Sequence, residues 1–272
     1  MSLKTRFDLR DKLGEGSMSE VFDAYDRNLQ RHVAIKLLKG FDHGGIYEEM
    51  RQRFLVDARA AARITHPNVV TIYDAGHFDE GVAIVMELAK DTLRKLLDRT
   101  PHLSPETIIS IGAQIADGLK CLHDNGIFHR DIKPSNVLLA AGNVPKIGDF
   151  GLAHLPTSEL TRTGTVIGTP KYMSPEQAQG QTLDYRTDIF SLGAVVFEML
   201  TGRTPFGFPP AEDHVLLGRI ISDPTPTPSQ VNPRVPRGFD AIVARALAKN
   251  PLERYQDAGD LAAALRSCKT VA

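Results

Sequence analysis

Residues 129–136 read His-Arg-Asp-Ile-Lys-Pro-Ser-Asn, and residues 149–151 read Asp-Phe-Gly. The two runs supply the carboxylates of Asp131 and Asp149 together with the Lys133 ammonium and the Asn136 amide. A phosphoryl-transfer centre needs this set, because one acid orients a hydroxyl nucleophile while the other acid and the amide hold a divalent cation against phosphates. Core packing does not explain a pattern that is mostly polar. The two runs therefore predict phosphoryl transfer.

Composition limits the class of protein. The 272 residues suit one large domain or two lobes around a cleft, and 42% hydrophobic residues can form a substantial core. A formal net charge of −1 gives no electrostatic reason to expect binding to nucleic acid or to acidic membranes. Cys121 and Cys268 are the only cysteines, which argues against a disulfide scaffold or a zinc site and favours a reducing cytosol.

Targeting and membrane signals are weak in this sequence. The N-terminus has no apolar stretch typical of a signal peptide. The longest apolar run, residues 189–200, is interrupted by Glu198 and is too short to cross a bilayer. We therefore expect a soluble, cytoplasmic chain without a membrane segment.

Strand and helix patterns divide the chain near residue 88. Alternating apolar residues predict strands at 33–35, 69–73 and 82–86, and helical spacing predicts one helix at 48–64. We expect an α+β architecture with a sheet-rich N-lobe (1–88) that contains one main helix.

Beyond residue 88 the patterns are mostly helical. Ser104 and Pro105 are typical of a helix start, and further helices are predicted at 187–201, 240–248 and 258–267. Eight of the 17 prolines fall between Pro205 and Pro236, but helices resume directly afterwards and the segment is too short to separate domains. We expect a larger helical C-lobe (89–272) that forms one catalytic domain with the N-lobe.

The runs at 129–136 and 149–151 resemble the catalytic segment of the eukaryotic-type (Hanks-type) protein kinase family in its bacterial form, and the resemblance extends from about Phe7 to Leu265. It implies a bilobal protein-kinase fold that uses ATP and Mg²⁺, with Mn²⁺ as an alternative. It also implies that Asp131 orients the substrate hydroxyl and Lys133 stabilises the transferred phosphoryl group, while Asn136 and Asp149 bind the metal.

Two short runs resemble the Ser/Thr branch of this family rather than the tyrosine branch. They are Lys133-Pro134 and Gly168-Thr169-Pro170. The resemblance therefore implies a protein substrate that offers a Ser or Thr hydroxyl.

A glycine-rich stretch, residues 13–21, predicts a phosphate-covering loop between two strands, because glycine lets the backbone approach phosphates closely. An ordinary hairpin turn explains the glycines alone equally well. A dinucleotide-binding loop does not, because no helix pattern follows Ser19. The resemblance implies that the nucleotide is bound by Leu13, Gly14, Gly16, Ser17, Ser19, Val21, Ala34, Lys36, Met86, Glu87, Leu88, Asp91 and Leu138.

Lys36 ends the strand pattern Val-Ala-Ile-Lys, where a buried ammonium is costly without a charged partner. The resemblance implies that Lys36 binds the α- and β-phosphates and pairs with an acid on the following helix. The family's spacing places that acid at Asp57, where the family normally has Glu. Glu49 is the alternative, but eight residues turn it about 80° away from Asp57 on a helix.

The segment from Leu152 to Glu176 is polar and rich in threonine, and it resembles the activation segment of the family. The resemblance implies autophosphorylation sites among Thr161, Thr163 and Thr165, with the phosphate docking on Arg130 and on His154. The alternative is that these threonines are ordinary loop residues. If His154 contacts the phosphate, docking should weaken as pH rises through the histidine's pKa.

Three further residues have structural roles by resemblance. Asp188 anchors the backbone of the catalytic loop, and Arg254 pairs with Glu176. The resemblance also implies action on a second copy of the chain in trans, a homodimer through the back of the N-lobe, and in many relatives a continuation into a membrane-anchored protein.

Two alternatives to an active protein kinase stay open at this point. One is a pseudokinase that binds ATP as a scaffold, which Asp57 and the small Ala61 favour and the intact Lys36, Asp131 and Asn136 oppose. The other is a small-molecule kinase, against which the threonine-rich segment argues.

Overall fold

The computed structural model describes residues 2–16, 19–39, 44–89, 91–149 and 170–269, without the side chains of 44–47, 49 and 50. Within these residues, the N-terminal third is built mainly of strands and the rest mainly of helices. The fold is therefore the α+β, two-lobed architecture that the sequence predicts.

The N-lobe is a five-stranded antiparallel sheet with the strand order β1-β2-β3-β5-β4. Its strands are β1 (Phe7–Glu15), β2 (Ser19–Asp26), β3 (Arg31–Leu38), β4 (Ile72–Phe78) and β5 (Gly81–Met86). A short helix, α1 (Leu3–Arg6), precedes β1, and the main helix, α2 (Gly44–Ala61), follows β3.

Strand β3 is buried on both faces, which explains its almost unbroken apolar sequence. Successive side chains of a strand point to opposite faces. Ala34 and Leu38 accordingly pack into the core that contains α2, whereas Val33 and Ile35 pack with Leu3 and other residues on the back of the sheet. Lys36 lies on the same face as Ala34 and Leu38, towards the cleft between the lobes.

The predicted strand at 69–73 is shifted in the structure. Strand β4 begins only at Ile72, opposite Met86 of β5. The segment 68–70 pairs instead with Ile147 of the C-lobe: the Val70 backbone N–H donates to the Ile147 carbonyl over 2.9 Å, and the Ile147 N–H donates to the Asn68 carbonyl over 2.8 Å. The apolar residues of the predicted strand therefore divide in two. Residues 69 and 70 lie at a contact between the lobes, and the strand of the sheet begins only at Ile72.

The C-lobe is built around α6 (Arg186–Thr201), a helix in which every residue from Thr187 to Leu200 is buried. A helix that is buried on all sides lies in the centre of a domain, and here the buried residues include Asp188 and Glu198. In the described part of the C-lobe, the remaining α-helices are α3 (Leu93–Arg99), α4 (Pro105–Asp124), α5 (Pro175–Ala178), α7 (Asp213–Ser222), α8 (Pro228–Val231), α9 (Gly238–Ala246) and α10 (Ala258–Arg266).

Local sequence signals explain how several of these helices begin and end. The Ser104 hydroxyl accepts a hydrogen bond from the Thr107 backbone N–H at 3.2 Å, as a helix N-cap does, and Pro105 occupies the first turn. Gly202, with φ +76°, ends α6. Among the helices of the described residues, none combines the length and apolarity needed to cross a lipid bilayer.

A second, three-stranded sheet lies beside the cleft, formed by β6 (Asp91–Thr92), β7 (Val137–Ala140) and β8 (Val144–Ile147) in that order. The run 129–136 enters β7, and Asp149 follows β8 after one residue. Since β7 and β8 are neighbouring antiparallel strands, the fold brings the run 129–136 and Asp149 to one edge of the cleft.

Candidate active site

The side chain of Asp188 anchors the loop that carries Asp131. The Asp188 carboxylate accepts hydrogen bonds from the backbone N–H groups of His129 at 2.8 Å and Arg130 at 2.6 Å, and from His123 Nε2 at 2.9 Å. Burial by itself would raise the pKa of Asp188, but these donors outweigh burial and the pKa is lowered. A buried, ionised carboxylate therefore fixes the loop from the first turn of α6.

His129 joins the two runs directly. Its Nε2 donates to the Gly148 carbonyl over 2.8 Å, and its Nδ1 accepts from the Asp131 backbone N–H over 3.2 Å. This pattern corresponds to the neutral tautomer with hydrogen on Nε2. Arg130 and Asp149 have φ angles of +64° and +56°. These are left-handed conformations that cost free energy and persist only when surrounding contacts impose them.

Asp131, Lys133 and Asn136 form one hydrogen-bonded group. Lys133 Nζ lies 2.8 Å from Asp131 Oδ2. Asn136 Nδ2 donates both to the Asp131 backbone carbonyl at 2.8 Å and to Asp131 Oδ2 at 2.9 Å. The amide nitrogen is held in this way, whereas Asn136 Oδ1 accepts only a long hydrogen bond of 3.4 Å from Ser135 Oγ, so Oδ1 is the amide atom that can meet a cation.

Lys36 reaches across the cleft from β3 to Asp149. Lys36 Nζ donates to Asp149 Oδ1 over 2.8 Å, and the lysine side chain is only 10% exposed. Burial would raise the pKa of Asp149, but the charge and hydrogen bond of Lys36 outweigh it, so the pKa is lowered. Asp149 is therefore ionised at neutral pH.

Asp57, the predicted partner of Lys36, faces other charges in the structure. Among the contacts of the described residues, the ion pair of Lys36 is with Asp149 rather than with Asp57. The half-buried Asp57 carboxylate is influenced by the positive charges of Arg130 and Arg53, yet desolvation outweighs them and its pKa is raised. The Lys36–Asp57 pair stays a prediction.

The predicted nucleotide residues that the structure describes lie in β1, β2, β3, β5, β6 and β7 or directly after one of these strands. Ala34 lies opposite Met86 in the register of β3 and β5, and both are buried in the main core. Four further residues pack at the edge of the same core: Leu13, Val21, Leu88 and Leu138. The resemblance implies that these side chains line a slot for the base, and an apolar set of this kind suits a flat heterocycle; the slot stays a prediction.

Gly14 lies near the end of β1, and Gly16 follows the strand directly. Gly14 pairs with Val21, and the Gly16 N–H donates to the Ser19 carbonyl over 2.8 Å. Both oxygens of the Asp91 carboxylate are engaged, since Arg99 Nη2 lies 2.6 Å from Oδ2 and the Thr92 N–H donates to Oδ1. A contact from Asp91 to a ribose would have to compete with these partners.

Glu176 and Arg254 are brought together in the C-lobe. Arg254 donates from Nη1 and Nη2 to the two oxygens of Glu176 at 2.6 and 2.8 Å, and their side chains are 0% and 7% exposed. Thr187 Oγ1 donates to the same carboxylate at 2.8 Å. Burial would raise the pKa of Glu176, but Arg254 outweighs it and the pKa is lowered.

Several predicted residues lie outside the described ones: Ser17, His154, Thr161, Thr163 and Thr165. Sequence reasoning gave no role to His129, which the structure places between the two catalytic runs, nor to Gln177, whose Nε2 donates to the Arg130 carbonyl over 2.8 Å. For His129, its position inside the run 129–136 is the sequence signal that indicates a role. No sequence signal indicates a role for Gln177, because its contact with Arg130 depends on tertiary folding.

Comparisons with known proteins match nearly the whole chain. Residues 7–264 match the model of the protein kinase domain. A probable serine/threonine-protein kinase of Clostridium perfringens (CPE1738) is 39% identical over 270 residues, which are 98% of this chain and 39% of that protein. The serine/threonine-protein kinase PknB of Mycobacterium leprae is 40% identical over 271 residues, which are 97% of this chain and 43% of PknB. The chain thus spans about two fifths of these relatives.

A solved structure shows the same architecture. The crystal structure of the kinase domain of PknI from Mycobacterium tuberculosis, in a cysteine-to-alanine mutant, superposes with a TM-score of 0.72 at 26% sequence identity. The match covers 96% of this chain and 94% of that one. The two-lobed fold is therefore similar over its full extent.

Proposed function

The chain belongs to the protein kinase family, and on that premise we propose that it is an ATP-dependent serine/threonine protein kinase domain. It transfers the γ-phosphoryl group of ATP to a Ser or Thr hydroxyl of a protein. The observation that carries this proposal is the convergence of Asp131, Lys133 and Asn136 with the Lys36–Asp149 pair at one edge of the cleft.

Asp131 orients the acceptor hydroxyl and takes up its proton as the new O–P bond forms, while the bond from the γ-phosphorus to the β,γ-bridging oxygen breaks and ADP leaves. Lys133, 2.8 Å from Asp131 in the structure, supplies positive charge to the transferred phosphoryl group. Lys36 supplies charge to the α- and β-phosphates from the opposite lobe. The anchored loop holds Asp131 and Lys133 in place, so little reorganisation is needed during transfer.

The donor set fits a hard divalent cation. Asn136 Oδ1 and the ionised Asp149 carboxylate are oxygen ligands of the kind Mg²⁺ prefers, and Mg²⁺ commonly takes few protein ligands beside waters and phosphates. Among the described residues, no group of three or more His, Cys, Asp or Glu side chains could hold a metal alone. When bound, Mg²⁺ neutralises phosphate charge, and Mn²⁺ fits the same oxygen donors.

Activation-segment autophosphorylation in trans is part of the proposal, with Thr161, Thr163 or Thr165 as acceptors and Arg130 with His154 as the docking site. The support is the family resemblance and the position of Arg130, whose backbone is held by Asp188 and Gln177. Nothing in the described cleft favours an ATP-binding scaffold without turnover. Since the reaction consumes ATP, we assign the domain to the cytosol, alone or as part of a longer membrane-anchored protein.

A homodimer through the back of the N-lobe is also proposed. Leu29, between β2 and β3, is 56% exposed, and Tyr73 on β4 is 37% exposed. The Arg31 guanidinium lies 3.5 Å from the centre of the Tyr73 ring, so Arg31 and Tyr73 share one part of this surface. Leu29→Asp should lower the dimer fraction in sedimentation velocity. An unchanged distribution in a dimeric wild type would exclude this face.

The catalytic proposal is tested by intact mass and phosphopeptide mapping after incubation with Mg²⁺ and ATP, beside Asp131→Asn. Phosphate on Thr161, Thr163 or Thr165 in the wild type alone is the expected result. Adding the wild type to the Asp131→Asn variant should phosphorylate the variant if transfer occurs in trans. Bound nucleotide with no phosphate on the chain or on a generic Ser/Thr substrate would contradict the proposal.

A further inference from the structure

Lys146 connects strand β8 to the hinge, by which we mean residues 87–89 directly after β5. Lys146 Nζ lies 3.0 Å from Glu87 Oε2, and the two side chains are only 13% and 25% exposed. Solvent screens such a pair less than it screens an ion pair at the surface. Neither the proposed mechanism nor the family comparison gives Lys146 a role.

Glu87 is held on more than one side. Its backbone N–H donates to the Thr71 carbonyl over 2.9 Å, and its Oε2 accepts from the Thr71 N–H over 3.4 Å. Among the described residues, none donates a hydrogen bond to the Glu87 carbonyl. That carbonyl is therefore the polar group which Glu87 can offer to a base in the slot, and the 6-amino group of adenine is the matching donor.

Lys146 also connects Glu87 to the opposite wall of the proposed slot. Leu138, on the wall formed by β7, lies directly opposite Lys146 in the β7–β8 register. Strand β8 is itself fixed to the segment before β4, because the Ile147 N–H donates to the Asn68 carbonyl over 2.8 Å. The ion pair thus connects the edge of the slot, its wall and the strand that leads to Asp149.

We propose that Lys146 is a positioning residue for adenine recognition: by holding the Glu87 carboxylate, it aims the Glu87 carbonyl at the 6-amino group. Lys146 does not touch the nucleotide in this arrangement. The inference rests on the proposed function, since it requires that the slot binds ATP. It predicts that removing the ammonium weakens the discrimination for an amino group at C6 of the purine.

Isothermal titration with ADP and with purine riboside 5′-diphosphate, which lacks the 6-amino group, tests this on the wild type, Lys146→Met and Lys146→Arg. The Lys146→Met variant should bind ADP roughly three- to tenfold more weakly, as expected for one impaired hydrogen bond, while its affinity for the purine analogue changes less than about twofold. Lys146→Arg keeps the charge and should restore most of the preference for ADP. Lys120→Met, which removes an ion pair with Asp124 on α4, is the matched control and should behave as wild type.

The outcomes separate this inference from the proposed function. A wild type that does not bind ADP would overturn both. A wild type that prefers ADP, with a Lys146→Met variant that keeps the preference or loses both ligands equally, would overturn only the role of Lys146. If Lys146→Met does not fold, Glu87→Gln provides the second variant, because it removes the charge of the pair and should show the same selective loss for ADP.

Discussion

The ammonium group of Lys36 lies 2.8 Å from the carboxylate of Asp149, while Asp57 is influenced by the charges of Arg130 and Arg53. In the structure, Lys36 is therefore paired with Asp149 rather than with Asp57. The family resemblance assigns Lys36 to Asp57, and ATP phosphates with Mg²⁺ would provide Asp149 with other partners. We expect Lys36 to pair with Asp57 in the nucleotide-bound state.

Asp57→Asn tests this expectation. Loss of the carboxylate should lower kcat/KM at least about tenfold, which corresponds to roughly 1.4 kcal/mol of transition-state stabilisation. Asp57→Glu restores the residue usual in the family and should retain or raise activity. Steady-state kinetics on both variants make the comparison, with the exposed Asp8→Asn as control. Wild-type kinetics for Asp57→Asn would show that the acid plays no part in catalysis.

Asp188→Asn should impair catalysis more than nucleotide binding. The substitution replaces one acceptor oxygen by an NH₂ group that would face the backbone N–H donors of His129 and Arg130. Since the displaced loop carries Asp131 and Lys133 rather than the adenine slot, kcat should fall roughly 10- to 100-fold. This range matches charged hydrogen bonds of about 1.5–3 kcal/mol.

The KM for ATP should change little in the Asp188→Asn variant. Asp184→Asn, which removes the ion pair with Arg186 near the start of α6, serves as control for general damage to this region. Equal losses in kcat from both substitutions would mean that Asp188 only stabilises the fold. Initial-rate kinetics over a range of ATP concentrations give the required separation of kcat from KM.

Breaking the Arg254–Glu176 pair should have a pH-dependent effect on stability. Arg254→Met leaves a buried carboxylate without its counter-ion, which should lower the free energy of unfolding by about 3–5 kcal/mol at pH 7.5. In the wild type the pKa of Glu176 is lowered, so the stability from this group is present above the usual pKa and is lost as pH falls through the lowered one. Without Arg254, burial raises the pKa of Glu176, and protonation relieves the penalty on acidification.

The difference in stability between Arg254→Met and wild type should therefore be smaller at pH 5 than at pH 7.5. Urea denaturation at both values measures it. Combining Arg254→Met with Glu176→Gln removes the uncompensated charge and should recover part of the loss at pH 7.5. A difference that is the same at both pH values would contradict this account.

The sequence predicted most of the architecture because its signals are local or strongly periodic. The Ser104 cap and the buried helix around Asp188 are of this kind, and the structure has a capped helix at 105–124 and a central helix at 186–201. The predicted strand at 69–73 is shifted because Asn68 and Val70 bond to Ile147 across the lobes, a contact that alternation does not reveal.

For the candidate site, the residue types and spacing indicated which groups could act together, but not their partners. The pairing of Lys36 with Asp149 joins residues 113 positions apart in sequence. The contact between Lys146 and Glu87 likewise depends on how β8 meets the hinge. Such pairings result from tertiary packing, which a single sequence does not specify.

Two glycine-to-alanine substitutions provide a matched test of interior packing. A Cβ atom at Gly118 on α4 would lie 2.8 Å from the Asn68 carbonyl and 3.0 Å from Ile147 Cδ1, whereas a Cβ at Gly218 on α7 would meet nothing within 4 Å. Gly118→Ala should therefore lower the free energy of unfolding by about 1–3 kcal/mol through overpacking. It should also disturb the contact between Asn68 and β8, which leads to Asp149.

Gly218→Ala should instead raise the free energy of unfolding by about 0.5–1 kcal/mol, because alanine loses less backbone entropy in a helix than glycine does. Urea denaturation of the two variants beside wild type measures both effects with the same change of one methyl group. Opposite signs are expected, since only Gly118 has backbone directly against it. If both variants were stabilised, α4 would have room to move away from Asn68, and the close approach between them would not constrain the position of β8.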